Sequence, residues 1–406
     1  MKRVLVILDG VGDRPHPDLK GKTPLEAARA PNLQKLAGDG RTGHLRIAKN
    51  VAPESDVGVL SVLGHNPFLH HVGRGFLEAK GAGVVFRDGN LALRANFASV
   101  EGDGVTLTDR RAGRSLSSAE AKALAKDINA QVKLEGASFE FRATQGHRGV
   151  LVIRAAGAPL DAHVSNTDPA YEVIRGLGSA KAQFDMKIAA CKALHPEARR
   201  AAALVNEFTR KSFAALNQSA VNKKRVLEGK PPGNAVLLRD PENKNKALAP
   251  LPGRWAILSE MPMEEGIADL MGMDVVRLKP QENAEKQYAD VAETARKTLQ
   301  DHDGVYVHIK GPDVFGHDGD ALGKTRSIEE IDAFFFASFL GKLDLTAARV
   351  AVTGDHSTPC VLHAHSADPV PFLLSGAGVP SERNRFDEKS PGPVLNAWEL
   401  MPLLLA

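Results

Sequence analysis

Cysteine is almost missing from this sequence. Cys191 and Cys360 are the only two among 406 residues, they lie far apart, and neither sits in a C-x-x-C pair. A disulfide framework and a zinc–thiolate centre are thereby excluded, and a reducing compartment, the cytoplasm, is the expectation. Long apolar runs are missing as well, since no stretch approaches the roughly 20 residues that a membrane helix needs. The run 4–8 follows Met1-Lys2-Arg3 as in a signal peptide, but Asp9-Gly10 ends it too early for one. Charge of one sign is not in large excess. A net charge of +3 without a clustered run of Lys and Arg gives no footprint for nucleic acid, and suits a small anionic substrate equally well. The usual phosphate loops do not occur: there is no G-x-x-x-x-G-K-[ST], and no G-x-G-x-x-G follows the first strand. Internal repeats and low-complexity tracts are absent too.

Hydrophobic residues make up 43% of the chain. That is enough for a sizeable core, and the length suggests two domains or one large domain with an insertion. Residues 4–8 form a short, continuous, β-branched run before Asp9-Gly10, the pattern of a strand buried on both faces. Thr23-Pro24-Leu25-Glu26 reads as a capping box opening a helix, and 32–37 as a second short helix. In the second half, candidate strands at 235–238, 255–258, 275–278, 305–309, 350–353 and 370–374 alternate with helical patterns at 197–217, 288–300 and 328–340. That rhythm implies an α/β fold with a mostly parallel sheet and helices on both faces. The middle differs. Short strands at 91–100, 105–108, 139–143 and 150–153 surround one helix that begins at the Ser117-x-x-Glu120 capping box. The expected division is a discontinuous catalytic domain, 1–74 and 169–406, with a smaller α+β domain inserted at 75–168.

Three candidate strands run into acidic residues: Asp9, Asp313 and Asp355. Ligands bind at the carboxyl ends of strands in open α/β sheets. Asp313 stands four residues before His317, so a helix or tight turn would point both the same way. Asp355-His356 offers two adjacent ligands, and His365 follows after a short loop. Singly, each is as well explained as a turn residue or surface histidine; as a set at strand ends they suggest a metal site of hard and borderline donors, suited to Zn, Mn or Mg. Ser55, in Pro53-Glu54-Ser55-Asp56, is open to two readings: a helix N-cap, or a nucleophile at a helix N-terminus. Arg74 lies in a Gly73-Arg74-Gly75 turn. Arg110, Arg111, Arg114, His147 and Arg148 are either solvated charge or a clamp for phosphate and carboxylate oxygens.

These residues resemble the alkaline phosphatase superfamily, and more narrowly the archaeal-type, cofactor-independent phosphoglycerate mutases. The resemblance spans nearly the whole chain. It rests on Leu8-Asp9-Gly10, Gly21-Lys22-Thr23-Pro24-Leu25-Glu26-Ala27-Ala28, Asp109-Arg110-Arg111-Ala112-Gly113-Arg114, Thr167-Asp168-Pro169, His308-Ile309-Lys310, Gly316-His317-Asp318-Gly319, Asp355-His356-Ser357-Thr358-Pro359-Cys360 and His365-Ser366. The resemblance implies an alkaline-phosphatase-like α/β fold and a two-metal centre. Asp9, Ser55, Asp355 and His356 would hold one divalent ion, and Asp313, His317 and His365 the other. Mn2+ is the first expectation, with Mg2+, Co2+ or Zn2+ as alternatives. Ser55 would take the phosphoryl group of a phosphoglycerate and return it to the other hydroxyl, without 2,3-bisphosphoglycerate. Arg74, Asp109, Arg110, Arg111, Arg114, His147, Arg148 and Asp168 would bind the substrate. Neither nucleic acid nor membrane is an implied partner, and monomer and homo-oligomer both stay open.

The chain departs from the family at three places. Around the nucleophile the family reads Gly-Ser-Asp-Thr-Ala-His-Leu, where this chain has Glu54-Ser55-Asp56-Val57-Gly58-Val59-Leu60. Glu265-Gly266 stands for a Lys-Gly pair, and Lys279-Pro280-Gln281-Glu282 for Gly-Ala-Thr-Gly. Glu265 is therefore expected near the substrate phosphate, with Lys279 or Lys286 restoring the lost positive charge. The alternatives are a related metal-dependent phosphotransferase or phosphatase acting on another small phosphorylated metabolite, and a non-catalytic metal-binding protein.

Overall fold

The structure, a computed structural model, describes residues 1–181, 183–279 and 281–406. Pro280 of the 279–282 stretch lies outside the described residues. The strands are β1 (Lys2–Leu8), β2 (Arg41–Arg46), β3 (Leu91–Val100), β4 (Leu107–Asp109), β5 (Ala137–Ala143), β6 (Arg148–Ala155), β7 (Tyr171–Ile174), β8 (Leu177–Ala180), β9 (Ala235–Glu242), β10 (Trp255–Ser259), β11 (Asp274–Arg277), β12 (Gly304–Ile309), β13 (Ala348–Thr353), β14 (Val370–Gly376) and β15 (Val394–Asn396). The helices used below are α1 (Pro24–Ala27), α2 (Pro31–Gly38), α3 (Ser55–Val62), α4 (Arg74–Gly81), α5 (Ser118–Gln131), α6 (Arg199–Gln218), α7 (Ala220–Leu227), α8 (Pro262–Met271), α9 (Ala284–Asp301) and α10 (Pro312–Asp318).

An eight-stranded sheet runs in the order β11-β10-β12-β1-β13-β14-β2-β15. It is mostly parallel; β14 is antiparallel to both β13 and β2. The unbroken apolar run of β1 now has its reason. Leu5 and Ile7 pack on one face with Trp255, Ile257 and Tyr306, while Val4, Val6 and Leu8 pack on the other with Val305, Val307 and Val352. Helices cover both faces, so every position of a central strand is interior. Both capping boxes form. Thr23 accepts from the Glu26 amide and Glu26 reaches back to the Thr23 amide, and Ser117 and Glu120 do the same at α5. No helix among the described residues is long and apolar enough to cross a membrane.

The second sheet corrects one expectation. Residues 235–238 do form a strand, but β9 is antiparallel to β3 in the five-stranded sheet β4-β3-β6-β5 and has no place in the large one. Strand periodicity fixes which faces are apolar and leaves the pairing partner undecided. This second sheet thus takes residues from well outside 75–168: β9 pairs with β3, and α6 packs on the same core. α4, by contrast, contributes Phe76 and Leu77 to the core beneath the large sheet. On β3, Leu91, Leu93, Ala95 and Phe97 pack with Leu124, Ile128 and Phe208 of α5 and α6. Alternation therefore turns Arg94 and Asn96 to the opposite face. That face borders a cavity between the two sheets.

Candidate active site

The parallel register sets the C-terminal ends of three strands side by side: Leu8 is level with Ile309 across β1–β12, and Ile7 with Thr353 across β1–β13. Asp9, Asp313 and Asp355-His356 consequently leave the sheet at one edge. The Asp313–His317 spacing is helical, on α10, so both side chains share a face. Asp313 Oδ1 lies 3.6 Å from Nε2 of His317 and 3.6 Å from Nε2 of His365. Asp9 Oδ1 is 3.4 Å from His356 Nε2. Three overlapping groups have ligand atoms within 4.8 Å of one another: Asp313, His317 and His365; Asp9, Asp313 and His356; and Asp9, His308 and Asp355. His308 is an addition that strand-end reasoning did not find, because it lies inside β12.

Each of three imidazoles is oriented from behind. His365 Nδ1 is 2.7 Å from the Pro53 carbonyl, His317 Nδ1 is 3.2 Å from the His363 carbonyl, and His356 Nδ1 is 3.0 Å from the Thr358 hydroxyl, which itself donates to Asp313. With Nδ1 so engaged, Nε2 of each ring faces the cluster and would offer its lone pair to a cation there. Gly10, with φ +62°, makes the turn after β1; a Cβ there would meet the Thr358 hydroxyl at 2.7 Å and the Asp313 carboxylate at 2.8 Å.

The donor set fits a divalent cation. Asp9 Oδ1 and Asp355 Oδ2 are buried without a hydrogen-bond partner, a costly state that coordination would relieve. Burial and the adjacent charge of Asp9 push the Asp355 carboxyl up to about 7, and a cation between the two carboxylates reverses that logic. The donors are carboxylate oxygens and imidazole nitrogens, with no thiolate.

Ser55 is the first residue of α3, and its Oγ lies 3.3 Å from His356 Nε2. The N-cap residue is Glu54 and makes no side-chain cap, so the N-cap reading of Ser55 does not describe this helix. The helix sits close because of Gly58, whose added Cβ would fall 2.0 Å from the Asp355 carbonyl oxygen. Gly58→Ala is accordingly expected to push α3 off the Asp355–His356 loop. We expect a loss of about 1–3 kcal/mol in denaturant unfolding together with weakened Mn2+ binding by calorimetry. Unchanged values in both would mean that the approach is not required.

The cluster forms one end of a cavity of about 490 Å3. Of the expected substrate residues, Arg74, Arg111, Arg114, His147 and Arg148 line it. Asp109, Arg110 and Asp168 do not. Arg110 is paired with Asp168 at 2.8 Å, and Asp109 Oδ1 accepts from the amides of Arg111 and Gly113, shaping the loop. Arg74 lines the wall but is tied to Glu54, Asp56 and Glu78, and Arg114 pairs with Asp318 of α10 at 3.2 Å. Residues not singled out from sequence also line the cavity: Glu54, Arg94, Asn96, Tyr171, Arg239 and Lys310. Glu54 is the hub of this wall. Its Oε2 accepts from Arg74 at 3.1 Å and from Arg239, which lies over the Tyr171 ring. Burial alone would raise the Glu54 carboxyl; Arg239, Arg74 and Arg94 hold it at about 2. A charged and an amide residue two apart in apolar β3 was the available signal for Arg94 and Asn96.

Glu265 stands elsewhere than expected. Its carboxylate makes a two-pronged pair with Arg277, at 2.9 and 2.7 Å, and does not line the cavity. Lys286 pairs with Glu282, and neither it nor Lys279 lines the cavity. A cation beside the Asp/His cluster is Lys310, 3.0 Å from Asp9 and 3.1 Å from the buried Glu264. Position 264 of α8 faces inward and 265 outward, a distinction of one helical step that a linear motif does not carry.

Residues 37–222 match a family model described as 2,3-bisphosphoglycerate-independent phosphoglycerate mutase. A protein of that name from Aeropyrum pernix is 40% identical, over 100% of this chain and 99% of its own. One from Thermococcus kodakarensis is 38% identical, over 96% of this chain and 92% of its own. Among solved structures, a Pyrococcus horikoshii protein superposes with a TM-score of 0.77 at 28% identity, covering 100% of this chain and 97% of that one. A cofactor-independent phosphoglycerate mutase from Thermoplasma acidophilum gives 0.59 at 29%, covering 100% and 99%.

Proposed function

Since the chain belongs to the family of 2,3-bisphosphoglycerate-independent phosphoglycerate mutases, we propose that it interconverts 3-phosphoglycerate and 2-phosphoglycerate through a phosphoserine at Ser55. The observation that carries this reading is one cavity with Ser55 and the Asp/His cluster at one end and arginines along its wall. Ser55 Oγ gives up its proton and bonds to phosphorus as the bond to the glycerate oxygen breaks, and that oxygen takes up a proton; the glycerate turns, its other hydroxyl gives up its proton and takes the phosphoryl group back, and Ser55 regains its own. Asp9, Ser55, Asp355 and His356 would hold one divalent ion and Asp313, His317 and His365 the other, with Mn2+ the first candidate and Mg2+, Co2+ or Zn2+ as alternatives. Bound there, such ions withdraw charge from the phosphoryl oxygens. His356, held through Nδ1, brings its Nε2 within 3.3 Å of Ser55 Oγ, so that both would face the same ion. Lys310 sets a fixed positive charge beside Asp9. The substrate's own phosphoryl group is recycled, so 2,3-bisphosphoglycerate has no task in this scheme. A cytoplasmic setting, in keeping with two unpaired cysteines, belongs to the same proposal.

The test is an enolase-coupled assay with 3-phosphoglycerate, run beside an assay for free phosphate. Mutase turnover is expected with Mn2+. Removal of metal by a chelator should lower it by at least about 100-fold, with recovery on adding Mn2+ back. Release of phosphate without 2-phosphoglycerate would replace this reading by that of a phosphatase.

A further inference from the structure

The arginines around the cavity differ in how much of their charge is already used. Arg74 and Arg239 are held by Glu54, Arg74 also by Asp56 and Glu78, and Arg114 by Asp318. Arg94 is different. It is 6% exposed, its nearest carboxylates stand at 3.8 and 4.0 Å, and its Nε and Nη1 have no hydrogen-bond partner. Burial, reinforced by the charges of Arg239 and Arg74, pulls its guanidinium down to about 9. Asn96, two residues along the same strand and also 6% exposed, has an unpartnered Oδ1. Across the strand pair Asn96 is in register with Arg148, whose Nε is likewise unpartnered. A buried cation left without an acceptor is unfavourable unless a ligand supplies one.

We infer that Arg94 and Asn96 read the acid end of the substrate: the Arg94 guanidinium, with Arg148 near it, takes the carboxylate, and the Asn96 amide takes the adjoining hydroxyl. The phosphoryl group then lies at the Ser55 end of the same cavity. This inference rests on the proposed function and adds its selectivity, for a phosphorylated hydroxy acid over a phosphorylated alcohol. Glu54, which stands where the family motif has glycine, supports that selectivity by occupying Arg74 and Arg239. Arg94, with Arg111 and Arg148 on the same lining, is then left to meet a carboxylate.

The test compares calorimetric binding of 3-phosphoglycerate and glycerol 3-phosphate to the Mn2+-loaded protein. The two probes differ in the carboxylate. Wild type is expected to prefer 3-phosphoglycerate by about 10- to 100-fold, the range for charge-assisted hydrogen bonds. Arg94→Met should abolish the preference while leaving glycerol 3-phosphate binding within about threefold, and Asn96→Ala should weaken both ligands through the hydroxyl. Arg94→Lys, which keeps the charge but loses the fork, should retain part of the preference. Arg94→Met should leave the unfolding temperature of the ligand-free protein little changed, because the guanidinium makes no hydrogen bond through Nε or Nη1 and its attraction to Glu54 and Glu78 is opposed by repulsion from Arg74 and Arg239; an arginine of purely structural value would give a clear fall. A clearly lower unfolding temperature, failure of Arg94→Met to fold, or an undiminished preference in that variant overturns the inference. Equal binding of both probes by wild type overturns it alone, whereas binding of neither removes the proposed function as well.

Discussion

Ser55→Ala is expected to remove mutase turnover almost completely, by roughly 10^4- to 10^6-fold, the scale on which loss of a nucleophile is felt. Stability should scarcely change. Ser55 is the first residue of α3 and does not cap it, and its one side-chain contact is His356 Nε2 at 3.3 Å. The expected cost is below about 1 kcal/mol, the range for loss of a helix-terminal hydroxyl. The coupled assay and a thermal melt measure the two quantities on one preparation. Activity within tenfold of wild type would remove Ser55 from the mechanism, and mass spectrometry of quenched turnover mixtures should find phosphate on this residue and no other.

Glu54→Ala is expected to have the largest effect on stability. Glu54 is 2% exposed, and its carboxylate is the common acceptor of Arg74 and Arg239, themselves 7% and 3% exposed. Deleting it leaves two buried guanidiniums without their shared partner, a change that costs about 3–5 kcal/mol when a buried pair is broken from one side. Glu54→Gln keeps the shape and one acceptor oxygen, so its expected cost is smaller, about 1–3 kcal/mol. Turnover should fall in both, because Glu54 is the residue before Ser55 and ties α3 to α4 and β9. Denaturant titrations that place Glu54→Ala within about 1 kcal/mol of wild type would show that the guanidiniums find other acceptors on this wall.

The Asp/His cluster was legible because each member carries its own local signal. Asp9, Asp313 and Asp355 each follow an apolar run, and in a parallel sheet every such run ends at the same edge. Asp313 and His317 needed only the helical repeat. The arginines were not legible in the same way. Arg110 and Arg111 are adjacent, yet Arg110 turns away to Asp168 while Arg111 lines the cavity. Arg94 and Arg239 sit in strands whose apolar neighbours suggest a core, with the Arg94-x-Asn96 spacing as the one local signal, and the unmet hydrogen bonds of Arg94 Nε and Nη1 exist only once β3, β6 and β9 are paired.

From its own pattern the sequence determined six of the eight strands of the large sheet, all but β2 and β15, the two capping boxes and the strand-end set of carboxylates and imidazoles. These are properties of periods of two and 3.6 residues and of chain direction, readable within a few residues. The tertiary structure alone decided that 235–242 joins β3 rather than the large sheet, that Glu265 faces Arg277 while Lys310 faces Asp9, and which arginines are already neutralised. The physical reason is common to all three. Pairing partner, helix rotation and charge compensation depend on groups as far as 301 positions apart in the chain, as Asp9 and Lys310 are, and no local pattern records them.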